Sequence, residues 1–208
     1  MYKRLVLFAA AALVSGHALA DMNYNYVQGS VIGSEIRGGG DSNSGNGFGL
    51  NGSAALGGTN LIFFFDVNRT KYTETGASIK FTPTDFGVGY HAPISDTVDF
   101  IGGVSYERFK LGASASGVGS GSTTEKGWGL GVGLRGMIGD KMQWDGGIKY
   151  RDVGDLQGIL GISVGGRYYF TPAFAVGLEL SANKYDKDVF GFSLKENKAL
   201  LSARFEFQ

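Results

Sequence analysis

The sequence predicts an all-β fold: a closed, antiparallel, up-and-down transmembrane β-barrel of ten strands. The first observation is strict alternation of apolar and polar residues, repeated in runs along the chain, which is typical of strands with one oily and one polar face. The second is an export signal at the N-terminus. The third is the absence of cysteine from a glycine-rich chain, which excludes a secreted fold stapled by disulfides.

The clearest alternation lies in residues 127–151, which read as a β-hairpin. In the first half, every second residue from Trp128 to Leu134 is apolar and the residues between are glycines, a pattern that only a period of two produces. Residues 139–141, Gly-Asp-Lys, form the predicted turn. In the second half, 142–151, one parity is apolar and the other carries the charges.

Each alternating run is interpreted as a strand about as long as the ~9–11 residues that cross a bilayer at a tilt. An even number of strands suits a bacterial single-chain barrel, and eight strands with longer loops is the alternative. The fourth strand is the weakest, because Pro83 would interrupt its ladder unless it lies at a bulge. The predicted strands are 24–35, 47–56, 61–71, 78–91, 98–111, 126–138, 142–151, 158–170, 174–185 and 198–207.

The N-terminus has the three parts of a secretory signal peptide: the basic Lys3 and Arg4, an apolar run, and small residues at 18–20. We therefore expect residues 1–20 to be cleaved and residues 21–208 to form one barrel domain in the outer membrane of a Gram-negative cell. The full chain has 19 basic and 19 acidic residues, so losing Lys3 and Arg4 leaves an acidic excess of two. This balance gives no indication of nucleic-acid binding.

The connections between the predicted strands alternate in length, which orients the barrel. Bacterial barrels have long extracellular loops and short periplasmic turns, so both termini are expected in the periplasm. The predicted extracellular loops are 36–46, 72–77, 112–125, 152–157 and 186–197.

Residue parity also divides the side chains between the lipid and the lumen. One parity is almost wholly apolar and is expected to face lipid, whereas the other collects the charges. In a narrow barrel the inner side chains meet across the lumen, and buried charges are tolerated there only when they are paired. We therefore predict a mostly filled lumen held by an ion-pair network of Asp66, Glu107, Arg135, Asp145, Lys149, Arg167, Glu179 and Arg204.

Near the extracellular ends of several strands, the positions with lipid-facing parity hold basic residues. Near the interface a charge on the lipid face costs only about 0–1 kcal/mol. The phosphates of lipopolysaccharide can accept charge-assisted hydrogen bonds there, so we predict a basic rim that contacts lipid A; ordinary snorkelling of the side chains is the alternative. The rim residues are Arg69, Lys71, Arg108, Lys110, Lys126 and Lys184.

Both ends of the predicted mature chain carry recognisable segments. Residues 200–207 end in the alternating aromatics Phe205 and Phe207, and residues 24–29 read Tyr-Asn-Tyr-Val-Gln-Gly. With the strand pattern, these segments make the whole mature chain resemble the small outer-membrane β-barrel proteins of the OmpA/OmpX and opacity type. The resemblance implies that Phe205 and Phe207 form the signal read by the barrel-assembly machinery. Residues 24–29 are similar to the start of small barrels, some of which were labelled secreted signalling factors.

Signals for catalysis and cofactor binding are weak. Residues 131–136 match the letters of a dinucleotide-binding motif, but that motif requires a strand turning into a helix and this run continues into a second strand. The predicted mature chain has one histidine, His91, at the periplasmic end, where we expect it in a hydrogen-bond network. No cysteine or histidine cluster could bind zinc. We therefore expect neither an enzyme nor a bound metal or cofactor.

Two functions remain compatible with the sequence. The first is an integral barrel with a filled polar lumen, serving envelope integrity and surface interaction or adhesion through its extracellular loops. Its partners would be outer-membrane lipopolysaccharide and a host or cell-surface ligand, and we expect a monomer. The second is a small porin-like diffusion channel for ions or small solutes. The predicted charges in the lumen favour the first, since paired charges would close the path.

Overall fold

The computed structural model describes residues 22–74, 76–117, 119–156, 158–186 and 194–207, and the predicted signal peptide lies outside them. Ten antiparallel strands form one closed barrel, which confirms the predicted fold and excludes the eight-strand alternative. The strands are β1 (Tyr26–Gly38), β2 (Asp41–Ala55), β3 (Leu61–Glu74), β4 (Ala77–Ser95), β5 (Val98–Ala115), β6 (Gly119–Ile138), β7 (Met142–Val153), β8 (Ile159–Thr171), β9 (Phe174–Tyr185) and β10 (Leu194–Glu206). A short 3-10 helix, Gly154–Leu156, follows β7. Among the described residues, no helix is both long and apolar enough to cross a membrane.

The two ends of the chain close the barrel. Strand β1 pairs with β10 from Tyr26 opposite Glu206 to Arg37 opposite Lys195. Because the barrel is closed, every strand forms backbone hydrogen bonds with a neighbour on each side. The bilayer interior offers no water to replace such bonds. The side-chain amide of Asn23 donates a hydrogen bond to the carbonyl oxygen of Phe207 at 3.1 Å, so the first and last described residues lie at the same end of the barrel.

The outer surface of the barrel is apolar, as the parity predicts. On β6, Trp128, Leu130 and Val132 are each about half exposed, because they point away from the lumen. Such a continuous apolar surface is unfavourable in water and suits a bilayer. Across β3–β6, four aromatic side chains lie opposite one another in register and form what we call the aromatic row: Phe65, Phe86, Tyr106 and Trp128.

The strands are longer at the extracellular end than the alternation indicated. The predicted loop 36–46 is mostly paired strand, with β1 turning into β2 through Gly39 and Gly40, whose φ angles of 62° and 98° favour glycine. The predicted loop 112–125 is likewise a hairpin, paired as far as Ala115 opposite Gly119. These loop boundaries were wrong because serine, glycine and asparagine carry no apolar periodicity, although their backbone continues the ladder. Part of the predicted loop 186–197, residues 187–193, lies outside the described residues.

Proline 83 does not produce a bulge. Val67 lies opposite Thr84 and Thr70 opposite Phe81, so the β3–β4 register is the same on both sides of the proline. The ladder lacks only the two intervening pairs, since proline has no N–H to donate. The register of β4 shifts instead between Pro93 and Ser95, next to a periplasmic turn.

Candidate functional site

The middle of the lumen contains a branched group of charges, here called the central cluster, built around Glu107. The Glu107 side chain is 0% exposed. Lys149 Nζ lies 2.7 Å from Glu107 Oε1 and 2.7 Å from Asp85 Oδ2, and Arg151 Nε lies 3.6 Å from Glu107 Oε2. The Ser105 hydroxyl donates to Glu107 Oε1 at 2.6 Å. The cluster therefore joins β4, β5 and β7 through the lumen.

Strand β6 contributes space to the central cluster. A Cβ atom added at Gly129 would lie 2.5 Å from Glu107 Oε1, 2.7 Å from Ser105 Oγ and 3.0 Å from Lys149 Cε. Real Cβ atoms do not approach other atoms so closely. Glycine at this position is what allows the long side chains of β5 and β7 to meet.

A second set of charges lies nearer the periplasm and is dominated by buried arginines. Arg167 Nη1 is 2.5 Å from Asp145 Oδ1 and donates to Gln143 Oε1 at 2.5 Å. The Arg204 guanidinium carbon lies 3.6 Å from the centre of the Tyr26 ring, in a cation-π contact. Each of these buried guanidinium groups has a carboxylate, amide or aromatic partner, as burial of a charge requires.

Tyr24, in the segment before β1, lies at the periplasmic mouth of the lumen. Tyr24 is 3% exposed, and its hydroxyl donates to Asp99 Oδ2 at 2.6 Å. The Tyr24 ring stacks on His91 with centroids 4.2 Å apart, and the Arg135 guanidinium lies 4.8 Å from its centre. His91 Nδ1 is 3.3 Å from Asp99 Oδ2. We call this group the periplasmic closure; Tyr24 belongs to it, although the alternation had placed Tyr24 at the start of a strand.

Buried apolar side chains pack together at the extracellular end of the lumen. They form one buried cluster, here called the extracellular cap: Phe109, Val153, Leu156, Ile159, Tyr185 and Leu194, with Ile36 packed against it. Sequence reasoning missed this cap, because it assigned apolar residues to the lipid face and charged residues to the lumen.

A buried carboxylate, Glu196, ties the capped end together. Its Oε1 accepts from the Tyr72 hydroxyl at 2.8 Å, and its Oε2 accepts from Asn183 Nδ2 and the Tyr185 hydroxyl, both at 3.1 Å. Lys198 Nζ lies 3.0 Å from the same Oε2. The four partners come from β3, β9 and β10, so one carboxylate links strands that β1 and β2 separate in the wall. Glu196 lay in a predicted loop and could not be assigned to the lumen from sequence.

The predicted lumen network includes residues that the structure does not bring into pairs. Asp66 accepts a hydrogen bond from Asn68 Nδ2 and has no basic partner within 4 Å among the described residues. Glu179 has no such ion pair either within that part of the chain. Arg135 lines the lumen with its buried Nε and Nη1 lacking a hydrogen-bond partner. Parity thus placed these side chains inside the barrel without fixing which of them meet.

The six predicted rim bases are all exposed on the outward parity, but they are not spread evenly. Five of them lie on β3, β5 and β6, and Lys184 lies on β9, on the other side of the barrel.

Three further outward bases were missed. Lys80 lies opposite Lys71 and has the parity of Phe86, a signal that was available in the sequence. Lys195 lies opposite both Lys184 and Arg37. Lys195 and Arg37 fell inside predicted loops, where parity could not be assigned.

Phe205 and Phe207, the predicted assembly signal, lie on the outer surface at the end of the chain and are 57% and 43% exposed. For metals, no group of three or more candidate ligand side chains occurs in the residues described.

A family model for the outer membrane protein beta-barrel domain matches residues 6–159. The chain belongs to the outer-membrane β-barrel family. Membership places it in the outer membrane of a Gram-negative cell, and the family covers most of the barrel described above. No match was found among curated proteins.

Solved structures of similar shape include outer-membrane barrels of several kinds. Neisserial surface protein A is 14% identical with a TM-score of 0.52, over 88% of this chain and 96% of its own. Ail, the attachment invasion locus protein of Yersinia pestis, is 14% identical with a TM-score of 0.47, over 89% and 100%. The KdgM porin is 11% identical with a TM-score of 0.41, over 86% and 99%. At such identities the likeness to the neisserial protein shows the fold alone.

Proposed function

We propose that this protein is an outer-membrane barrel with a closed lumen, which supports envelope integrity and presents its extracellular hairpins to other surfaces. The observation that carries the proposal is an obstruction near each end of the lumen, the periplasmic closure and the extracellular cap, with the charges of the central cluster between them. A diffusion channel needs a continuous hydrated path, as in porins. The side chains of Phe109, Val153, Leu156, Ile159 and Leu194 in the cap offer an ion no polar group to replace its water.

The remaining internal space supports the same proposal. A cavity of about 400 Å³ with both polar and apolar walls lies in the lumen, and its polar lining includes Asp66, Asp85, Lys149 and Glu179. Ordered water in the polar part of this cavity would satisfy the carboxylates that lack a basic partner. Water held between two obstructions stabilises the interior without making a conducting path.

The tall side of the barrel supports a role in surface interaction. Strands β4, β5 and β6 have 19, 18 and 20 residues, whereas β7 and β8 have 12 and 13. Only about 9–11 residues are needed to cross the bilayer, so the first three strands project above the membrane. Their tips are paired, and Ser78 Oγ lies 2.9 Å from Ser114 Oγ across β4 and β5. A projecting surface that is already ordered loses little entropy when it binds a partner.

Planar-bilayer conductance of the purified protein tests the closed lumen. The parent should show no resolved conductance steps, and a refolded porin in the same bilayer serves as the positive control. Gel mobility with and without heating confirms that the inserted protein is folded. Regular conductance steps from folded parent protein would contradict the closed lumen and support the diffusion channel.

Shortening the β5–β6 hairpin tests the surface role. Removal of residues 113–121 should leave a folded barrel, because the deleted pairs lie beyond the membrane. Cells that display the parent should bind to a host-cell or bacterial surface more strongly than cells that display the shortened variant. Equal binding by both would argue against an interaction role for this hairpin.

A further inference from the structure

We propose that the outer face of β3–β6 binds one phosphorylated, acylated glycolipid, the lipid A part of lipopolysaccharide. Basic side chains would hold the phosphates, and an apolar groove below them would take an acyl chain. This inference rests on the proposed barrel being inserted in the outer membrane, but it does not depend on whether the lumen conducts.

The first observation is a concentration of positive charge, here called the basic patch. It consists of outward side chains above the aromatic row: Arg69, Lys71, Lys80, Arg108, Lys110 and Lys126. The other outward positions of these strands above that row hold serine, threonine, one valine and one glycine, and none in the described residues is acidic. The other side of the barrel differs, since Arg37 there is paired with Glu35 at 2.8 Å.

The register within the patch points to an anionic partner. Arg108 lies directly opposite Lys126, and Lys71 directly opposite Lys80. Like charges in directly opposed positions of neighbouring strands destabilise a sheet. A phosphate between two such bases replaces their repulsion with charge-assisted hydrogen bonds. Two separate pairs suit a headgroup that carries two phosphates.

The second observation is an apolar groove of about 650 Å³ on the same face. Its lining is almost wholly apolar and includes Ala54, Phe63, Phe65, Val88, Val104 and Tyr106. The groove lies beside Gly52, which is in register between Val27 and Phe65, and the Phe65 ring lies over this glycine. A flexible hydrocarbon chain fits such a groove, whereas a rigid protein surface would need a matching ridge.

The patch and the groove are vertically aligned. Tyr106 lines the groove, and Arg108 is the next outward residue above it on β5, about 7 Å further along the strand. The Phe86 ring contacts Tyr106 at 5.1 Å and forms the boundary between the two regions. A molecule that fits must therefore carry phosphate at the membrane surface and hydrocarbon directly below it. Lipid A in the outer leaflet has this arrangement.

The test is native mass spectrometry of the full mature protein in detergent with bisphosphorylated lipid A. The patch variant carries Arg69→Gln, Arg108→Gln and Lys126→Gln. The matched control carries Arg37→Gln, Lys184→Gln and Lys195→Gln, which removes three outward bases from the other side of the barrel. We expect the patch variant to bind about tenfold more weakly, a loss of about 1.4 kcal/mol, and the control to bind like the parent.

Two further arms separate the phosphate from the acyl chain. Dephosphorylated lipid A should bind the parent about as weakly as lipid A binds the patch variant. Ala54→Leu, which places a larger side chain in the groove, should weaken binding while every base stays in place. Heat-dependent gel mobility confirms that each variant is folded, so lost binding is not lost structure.

Several results would overturn the inference. Equal losses in the patch variant and the control would indicate general charge attraction. If the parent bound dephosphorylated lipid A as strongly as lipid A, the bases would not be holding phosphates. The patch variant could instead bind lipid A like the parent but no longer bind a soluble sulfated polysaccharide. That result would assign the patch to an external polyanion. None of these results changes the conductance of the parent, so the closed-lumen proposal is judged separately.

Discussion

Asp99 and Arg135 lie directly opposite each other in the β5–β6 ladder, yet their charged groups do not come within 4 Å. Tyr24 lies between them, with its hydroxyl bonded to Asp99 and its ring beneath the Arg135 guanidinium. The chain segment before the first strand has thus taken the place of an ion pair that the ladder alone would bring together. The Tyr24 ring therefore occupies the periplasmic mouth between these two charges.

Tyr24→Phe should lower the free energy of unfolding by about 1.5–3 kcal/mol, because it removes a hydrogen bond to a buried carboxylate. Urea unfolding of the refolded protein in lipid vesicles measures the change. Tyr90→Phe is the control, since the Tyr90 hydroxyl accepts only an exposed bond from Asn60 at 3.3 Å. Equal midpoints for Tyr24→Phe and the parent would show that the Asp99 contact does not stabilise the closure.

Glu107→Gln should destabilise the barrel by about 3–5 kcal/mol, because Lys149 and Arg151 would lose a buried carboxylate that both contact. Glu179→Gln is the matched control: it also changes an inward glutamate, but one with no ion pair among the described residues. The control should unfold near the parent midpoint. If both variants lost the same stability, the cost would reflect the loss of lumen charge in general and not the central cluster.

Phe109→Ala should lower the free energy of unfolding by about 3–5 kcal/mol, because it removes a buried aromatic ring from the extracellular cap. Phe86→Ala, on the outer face, should cost less, since lipid tails replace the lost contacts. Conductance of the same two variants provides a second measurement, in which only the cap variant is expected to leak ions. A Phe109→Ala protein that shows no conductance and unfolds like the parent would contradict the role assigned to the cap.

Phe207→Ala should reduce the amount of folded protein in the outer membrane without lowering the stability of refolded protein, because the resemblance implies that Phe207 is read during assembly. Phe174→Ala is a close control: its ring is also outward at the periplasmic end and is 40% exposed against 43% for Phe207. Folded protein is quantified by heat-dependent gel mobility in membrane fractions. Equal yields of the two variants would leave Phe207 with no special part in assembly.

Alternation predicted the strands and their outer faces well, because within the bilayer each strand has lipid on one side and lumen on the other. That contrast ends above the membrane, where the hairpin of residues 112–124 has no apolar face and its pairing could not be predicted. The cap did leave a trace: on β5 the outward Tyr106 is followed by the inward Phe109, so the apolar parity switches between them. Such a switch marks the level at which a lumen changes from polar to apolar.

The pairs within the lumen were beyond sequence reasoning for a geometric reason. Lys149 of β7 contacts Asp85 of β4, with two strands between them in the wall. Parity shows that both side chains point inward, but their meeting depends on barrel width, strand stagger and side-chain length. Tyr24 escaped prediction for a related reason, since only the closed barrel provides a mouth for it to cover.

The lack of a side chain at Gly129 limits which substitutions this position can accept. A single methyl group there would meet Glu107, Ser105 and Lys149 at once, so alanine at this position would disturb the same contacts as loss of one of the charges. A genetic screen for damaging substitutions would therefore mark Gly129 as well as Glu107, although glycine has no functional group. Strand β6 therefore contributes to the interior by leaving space at Gly129 for side chains of β5 and β7.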